Sequence, residues 1–150
     1  MFLFCAARAQ HVREMIMPAL KQNKVVLCDR FSDATYAYQG AGRGLDTEII
    51  KLVNDYSSML LKPDLTLLFD LPVEIGLQRA TVRNNRLKEP SSTDRFEREN
   101  VDFHRRIREG YLNILKNEPN RFRLIDATRD VDTIQEEVRR YIVDFINLQN

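Results

Sequence analysis

Apolar residues recur along this chain in two patterns, one with steps of three or four residues and one as short continuous runs. The stepped pattern predicts five helices, over residues 1–22, 45–61, 73–84, 96–118 and from about 132 onward. The continuous runs predict three buried strands, over residues 24–28, 65–71 and 121–126. Because helices separate the strands, we expect an α/β protein with a parallel sheet covered by helices.

Three strands are few for a sheet of this kind, since doubly wound sheets usually contain about five or six. We therefore expect that strands at one end of the sheet are missing from the 150 residues given. The length fits one domain, and the composition, with 43% hydrophobic and 30% charged residues, is that of an ordinary globular protein.

Two of the predicted helices have well-defined inward faces. The helix over residues 45–61 is predicted to be capped by Asp46, and its apolar face consists of Ile49, Leu52, Val53, Tyr56, Met59 and Leu60. The last helix has Gln135 three residues after Asp132, a capping-box pattern. Its predicted buried residues are Ile134, Val138, Tyr141, Ile142 and Phe145.

Arginine dominates the basic residues, although the net charge is only +1. Of the 23 basic residues 17 are arginine, and eight of these lie between Arg79 and Arg108. Arginine favours bidentate contacts with anions such as phosphate. A solvated helix face with paired acids explains the same density equally well.

The cysteines, the apolar stretches and the pI indicate in which compartment the protein works and which partners are not expected. Cys5 and Cys28 stand apart, so two buried thiols in a reducing compartment are expected rather than a disulfide. No apolar stretch reaches the roughly 20 residues of a membrane span, and the N-terminus lacks a secretory pattern, so we expect a cytosolic protein without a membrane partner. The pI is 7.8, and aromatic and basic residues do not alternate as they do in nucleic-acid-binding modules, so binding of nucleic acid is not expected.

Polar side chains follow two of the predicted strands directly. Asp29 and Arg30 come after the first strand and Asp70 ends the second. Ligands of parallel sheets gather outside the carboxyl ends of strands. An arginine there can hold a phosphate while a neighbouring aspartate orders a metal-bound water. A structural ion pair at a strand end is the alternative interpretation.

A second group of candidates could bind a base. Phe4 and Arg8 share one helix face, so a ring could stack on the phenyl group while the guanidinium bonds its edge. Thr35, Tyr38 and Gln39 add a hydroxyl, a ring and an amide suited to a nucleoside. Each of these patterns is weak when taken alone.

Four arginines surround an aperiodic stretch over residues 84–94. They are Arg79, Arg83, Arg86 and Arg95. A flap that brings arginines onto a transferring phosphoryl group suits phosphoryl transfer. A solvated loop between helices is the alternative.

Taken together, five motifs resemble the bacterial thymidylate kinase family. They are FxxxR at 4–8, DRF at 29–31, TYAYQGAGRGL at 35–45, KPDLTLLFDLP at 62–72 and DRFE at 94–97. The resemblance covers nearly the whole chain. It implies a sheet of the P-loop nucleoside monophosphate kinase type and the phosphorylation of dTMP to dTDP with ATP and Mg²⁺. It also implies a homodimer, for which the helix over residues 45–61 is a candidate interface.

The resemblance carries specific roles to the acceptor residues. Phe4 would stack on thymine and Arg8 would bond its exocyclic oxygen. Thr35 and Gln39 would line the pockets of the base and the 5′-phosphate, and Tyr38 would lie beside the deoxyribose. Arg30 would hold the acceptor phosphate. Asp29 would act near magnesium through water, positioning the phosphates electrostatically.

On the donor side, the resemblance matches residues 84–95 to the family's lid, which supplies the catalytic arginine in the bacterial type. Arg95 is the closest match, and Arg83 and Arg86 are further candidates. Asp126, Ala127 and Thr128 match a turn that lies against adenine, and Arg79 is placed with them on the ATP side.

The family's phosphate-binding sequence G-x-x-x-x-G-K-[ST] does not occur in these 150 residues. We therefore expect the sequence given to be a partial thymidylate kinase domain that is inactive by itself. Two alternatives stay open at this point, a deoxynucleoside kinase and a non-catalytic remnant that binds nucleotide or forms a dimer contact.

Overall fold

The computed structural model describes residues 1–87 and 100–149, without the side chains of residues 84–87 and 149. The chain contains several helices and two parallel strands. In chain order the elements are α1 (Phe2–His11), a π-helical segment (Val12–Ile16), α2 (Met17–Leu20), α3 (Ser32–Thr35), a second π-helix (Tyr36–Gly42), α4 (Thr47–Ser58), β1 (Thr66–Asp70), α5 (Val73–Leu87), α6 (Val101–Asn117), β2 (Phe122–Asp126) and α7 (Val131–Gln149).

The sheet of the described residues pairs β1 with β2 in parallel. Thr66 lies opposite Phe122 and Asp70 opposite Asp126. The α/β class with parallel strands joined through helices is therefore confirmed in its coarse form. Both strands end at the same edge, so the residues that follow them are neighbours. The amide of Ala127 bonds the carbonyl of Asp70 at 2.8 Å and continues the ladder past the last strand pair.

The prediction of a buried strand over residues 24–28 is wrong. These residues form no strand, and Val25 and Leu27 are largely exposed. An apolar, β-branched run supplies the side chains of a strand, but a strand also needs a neighbour to satisfy its backbone hydrogen bonds. Neither β1 nor β2 pairs with residues 24–28. Cys28 is consequently exposed, against the expectation of a buried thiol, whereas Cys5 is buried.

The hydrophobic core forms where α6 packs on the second π-helix. Ala37, Phe103 and Ile107 are its buried centre, with Tyr38 and Tyr111 packed against it. The sequence predicts that Phe103, Ile107, Tyr111, Ile114 and Leu115 of this helix face inward. Phe103 and Ile107 are indeed buried, and the other three are half-buried. Asn100 caps α6 by accepting from the amide of Phe103 at 2.8 Å.

Glycines make the α6 contact possible. A Cβ atom added to Gly110 would lie 2.7 Å from Ala41 Cβ, and one added to Gly42 would lie 2.9 Å from Phe103 Cε2. Both distances are too short for real carbon contacts, so any side chain would force the two helices apart. The glycines therefore set how closely the helix carrying Tyr38 approaches α6.

Helix α4 buries a different face from the predicted one. Asp46 caps it as expected, accepting from the amides of Glu48 and Ile49 at 2.8 and 3.1 Å. The buried residues, however, are Ile50, Asn54, Ser57 and Ser58. Of the residues predicted inward, Ile49, Leu52, Tyr56, Met59 and Leu60 are exposed and Val53 is half-buried. The polar face of α4 turns inward because Asn54 and Ser57 accept hydrogen bonds from Arg8 of the neighbouring α1, as described below.

Helix α7 follows its prediction more closely. The five residues expected to face inward are all half-buried, while the positions between them are largely exposed. The cap is two residues earlier than predicted, because the carboxylate of Asp130 accepts from the amide of Thr133 at 2.9 Å. Asp130 and Asp132 are close in sequence and both precede the apolar stripe, so the pattern could not show which of them caps the helix.

Candidate functional site

The Arg8 guanidinium lies in a polar pocket between α1, α3 and α4. Its Nη2 donates to Thr35 Oγ1 at 2.6 Å, and its Nη1 donates to Asn54 Oδ1 at 2.6 Å. Two longer contacts at 3.4 Å go from Nη2 to the Phe31 carbonyl and from Nη1 to Ser57 Oγ. Burial lowers the pKa of Arg8, although nearby groups partly offset this. Arg8 and Thr35, which were each predicted at the base pocket, are therefore in direct contact.

Phe4 lies one helical turn before Arg8 and is largely exposed. Phe2 and Leu3 of the same helix are exposed too. The geometry leaves the face of the ring available for stacking with a planar ligand.

Arg30 has a strained backbone and an aromatic contact. Its φ of 61° lies in the left-handed region, which residues with a Cβ adopt at a cost. Its guanidinium carbon lies 4.3 Å from the ring centroid of Tyr38. Strain of this kind persists where the surrounding structure holds a residue in place, and it occurs often at ligand sites. Arg30 and Tyr38, both predicted site residues, therefore belong to one cluster.

Tyr111 packs, like Tyr38, against the buried core formed by Ala37, Phe103 and Ile107. Burial raises the pKa of the Tyr111 hydroxyl to about 12, with further contributions from Tyr38 and Asp29 that Arg30 partly opposes. Tyr111 was predicted as an inward residue of its helix, and the periodic pattern gave no sign that it would line a cavity together with Tyr38.

A cavity of about 250 Å³ opens at the carboxyl end of β1. Its lining includes Tyr38, Asp70, His104, Arg108 and Tyr111. Asp70 accepts two hydrogen bonds from Arg108, at 2.7 and 2.8 Å. Asp70, predicted as a polar residue at the end of its strand, thus forms an ion pair with α6. Arg108 was among the clustered arginines but had not been singled out.

Arg79 holds the turn that follows β2. Its Nη1 donates to the carbonyl of Ala127 at 2.7 Å and its Nη2 to the carbonyl of Thr128 at 3.2 Å. Asp126 closes the same turn by accepting from the amide and hydroxyl of Thr128, which lowers the pKa of its carboxyl group. All four residues had been predicted on the donor side, and the structure brings them together.

The remaining candidates are less defined. Gln39 is half-buried on the second π-helix, and its carbonyl accepts from the amide of Leu45 at 3.0 Å. π-Helices are rare and often mark functional sites. Arg83 is exposed on α5. The side chain of Arg86 and the whole of Arg95 lie outside the described residues.

The described residues contain no group of three or more His, Cys, Asp or Glu side chains placed to hold a metal ion. Asp29 is an exposed carboxylate next to Arg30. This donor set fits Mg²⁺ bound mainly by water and phosphate oxygens, because that ion keeps several waters and often takes only one or two carboxylates. In the part of the chain that is described, no helix has both the length and the apolar character needed to cross a membrane.

Comparisons with known proteins agree on one family. The family model "Thymidylate kinase" matches residues 1–138. The thymidylate kinase of Syntrophus aciditrophicus (strain SB) is 52% identical over 140 residues, 93% of this chain and 64% of that protein. That of Desulfovibrio desulfuricans is 49% identical over 97% of this chain and 67% of its own length. That of Geotalea uraniireducens is 51% identical over 92% and 64%. The chain therefore spans about two thirds of the length of these relatives.

Proposed function

Because this chain belongs to the thymidylate kinase family, we propose that its residues form the acceptor side of an enzyme that phosphorylates dTMP with ATP. The observation that carries the proposal is the Arg8 guanidinium, held between Thr35 and Asn54 one helical turn from the exposed ring of Phe4. This arrangement offers a stacking face and donors for the edge of a base. All three relatives cited are named thymidylate kinase, so a deoxynucleoside kinase is not favoured.

The acceptor phosphate would bind at Arg30. A guanidinium can form two parallel hydrogen bonds with phosphate oxygens, and the Tyr38 ring 4.3 Å away keeps it oriented. Tyr38 would then lie between the phosphate and the sugar, and Gln39 would add an amide on the same π-helix. The strained φ of Arg30 supports a position fixed before the ligand arrives.

Phosphoryl transfer requires mainly positioning and charge stabilisation. Mg²⁺, which would arrive with ATP, neutralises charge on the phosphates. Asp29 would orient water on that ion, and Arg30 would hold the acceptor oxygen in place. Arg95 and Arg83, with Arg86 as a further candidate, remain the proposed lid arginines that reach the transferring group.

The donor side is proposed at the turn after β2. Two hydrogen bonds from Arg79 and the cap by Asp126 give residues 126–128 a fixed backbone. A fixed turn beside the carboxyl ends of the strands can contact the adenine of ATP. The cytosolic location remains a prediction.

Calorimetric titration of the chain with dTMP and with thymidine tests the acceptor assignment. We expect dTMP to bind more tightly than thymidine. Replacing Arg30 by methionine is expected to weaken dTMP binding about 10- to 100-fold, the loss of one charge-assisted contact, and to leave thymidine binding unchanged.

Arg13→Met is the matched control, since Arg13 is an exposed arginine on the first π-helical segment. It should bind both ligands like the unaltered chain. Equal losses for dTMP and thymidine in Arg30→Met would contradict the phosphate role. Tighter binding of thymidine than of dTMP would point instead to a nucleoside kinase.

We further propose that the chain forms a homodimer through the exposed apolar stripe of α4. Leu52 is 69% and Tyr56 87% exposed, and Ile49 lies on the same stripe one turn earlier. Three large apolar residues in register on one helix are typical of an interface between helices. A second copy would cover this stripe with an identical one.

Replacing both Leu52 and Tyr56 by glutamate is expected to shift the chain from dimer to monomer in sedimentation experiments, because like charges would face each other across the interface. Circular dichroism should stay unchanged, since both side chains are exposed in the single chain. Asn113→Glu adds a charge at an exposed site of α6 and should remain dimeric. A monomeric unaltered chain would refute the proposal.

A further inference from the structure

Asn54 is a polar residue that the fold buries almost completely. Its exposure is 1%, and it shares the buried face of α4 with Ile50. An amide removed from water costs roughly 1–3 kcal/mol unless it is hydrogen-bonded. A leucine would fill such a helix position without this cost. The presence of an asparagine therefore calls for a specific partner.

Both ends of the Asn54 amide are occupied. Oδ1 accepts from Arg8 Nη1 at 2.6 Å, and Nδ2 donates to the carbonyl of Ser32 at 3.1 Å. The second bond fixes which way the amide points, because Nδ2 can donate and Oδ1 can only accept. Asn54 thereby joins α3, which leads to Thr35, with α1, which carries Arg8.

Contact lengths divide the donors of Arg8 into two sets. The short bonds to Asn54 and Thr35 use one N–H on each terminal nitrogen. The same two nitrogens also make longer contacts of 3.4 Å, from Nη2 to the Phe31 carbonyl and from Nη1 to Ser57 Oγ. These long contacts are weak and easily exchanged. A ligand oxygen can therefore take a donor of Arg8 while both short anchors stay in place.

We propose that Asn54 is a positioning residue, which fixes the Arg8 guanidinium so that its loosely held donors meet the edge of the thymine base. The role in base recognition depends on the function proposed above, whereas the anchoring of Arg8 does not. Arginine has a long, flexible side chain, and fixing it before the ligand arrives reduces the ordering cost of binding. Specificity for the base would then depend on a residue that does not touch it.

Three variants separate this role from a structural one. Asn54→Leu keeps the size and removes the acceptor, whereas Asn54→Asp keeps an acceptor for Arg8. Ser58→Ala alters another buried polar residue of α4 that is not among the four partners of Arg8 described above. Thermal unfolding identifies any variant that fails to fold. Asn54→Ala, which also removes the acceptor, then serves in place of Asn54→Leu in both measurements.

The first measurement needs no ligand. Nitrogen-15 NMR of arginine side chains reports how fast the Arg8 guanidinium rotates. We expect faster rotation in Asn54→Leu and the original slow rotation in Asn54→Asp and Ser58→Ala. Equal rotation in Asn54→Leu and the unaltered chain would overturn the anchoring, whatever the substrate.

The second measurement compares dTMP with deoxyribose 5-phosphate, which lacks the base. Asn54→Leu is expected to weaken dTMP binding about tenfold, because the entropy cost of fixing the Arg8 side chain is then paid on binding. Binding of deoxyribose 5-phosphate should be unaffected. In an Arg8→Met background, Asn54→Leu should cause no further loss. Equal losses for both ligands, or additive losses with Arg8→Met, would overturn the role in base recognition. Failure of the unaltered chain to bind dTMP would instead refute the proposed function.

Discussion

Replacing Arg121 by methionine is expected to lower the free energy of unfolding by about 3–5 kcal/mol, as for a buried ion pair that loses one partner. Arg121 donates to both carboxylate oxygens of Asp33, at 2.7 and 2.8 Å, and the two side chains are only 13% and 11% exposed. Burial lowers the pKa of Arg121, but its hydrogen bonds to Asp33 and Glu118 outweigh that effect and raise it. Removing the arginine would leave the Asp33 carboxylate buried without a counter-ion.

Urea unfolding followed by circular dichroism measures this loss. Arg105→Met is the matched control, because Arg105 pairs with Glu74 on the surface, where both side chains are more than half exposed. That change should cost less than about 1 kcal/mol. Adding Asp33→Asn to Arg121→Met should restore part of the stability, since no unpaired charge then remains. Equal losses for Arg121→Met and Arg105→Met would refute the argument.

A polypeptide of these 150 residues alone is expected to release no ADP above background from Mg-ATP in the presence of dTMP. The sequence G-x-x-x-x-G-K-[ST], whose backbone amides, lysine and hydroxyl hold the donor phosphates and metal, does not occur in it. Phosphoryl transfer depends on that positioning and charge stabilisation rather than on covalent chemistry. A coupled ADP-release assay is the measurement.

The same preparation should bind dTMP, which provides the internal control. Binding without turnover would show that the acceptor residues are folded and that the donor contacts are what the polypeptide lacks. Turnover at the rate of an ordinary kinase, typically about 1–100 s⁻¹, would contradict the expectation and place the donor phosphates on residues of this chain.

Much of the fold could be predicted from periodicity, because helix stripes and buried strands have different repeats. β1, β2 and the stripes of α6 and α7 were found in this way. Residues 24–28 were not, since an apolar run shows what a strand is made of but not whether a neighbour is present to pair with it. The face of α4 was also missed, because the pattern assumes that apolar residues turn inward.

The candidate site, too, could be predicted only in part. Arg8, Thr35, Arg30 and Tyr38 were each singled out from motifs, but their contacts were not predicted. The structure places Arg8 against Thr35 and Arg30 against Tyr38. The contact of Asn54 with Arg8 could not be predicted, since a single asparagine in a helix is not informative until its burial and its partner are known. Asp70 was predicted at the strand end without a named partner, because only the fold brings Arg108 of α6 to the end of β1.

The close approach at Gly110 also limits how this protein can move. Because Gly110 has no side chain, the second π-helix and α6 approach each other closely at Ala37 and Ala41, and such close packing resists sliding of one helix past the other. Tyr38 and Tyr111 are carried by these two helices, so we expect them to move together. We therefore expect any closure around a nucleotide to come from other segments that move toward these two tyrosines.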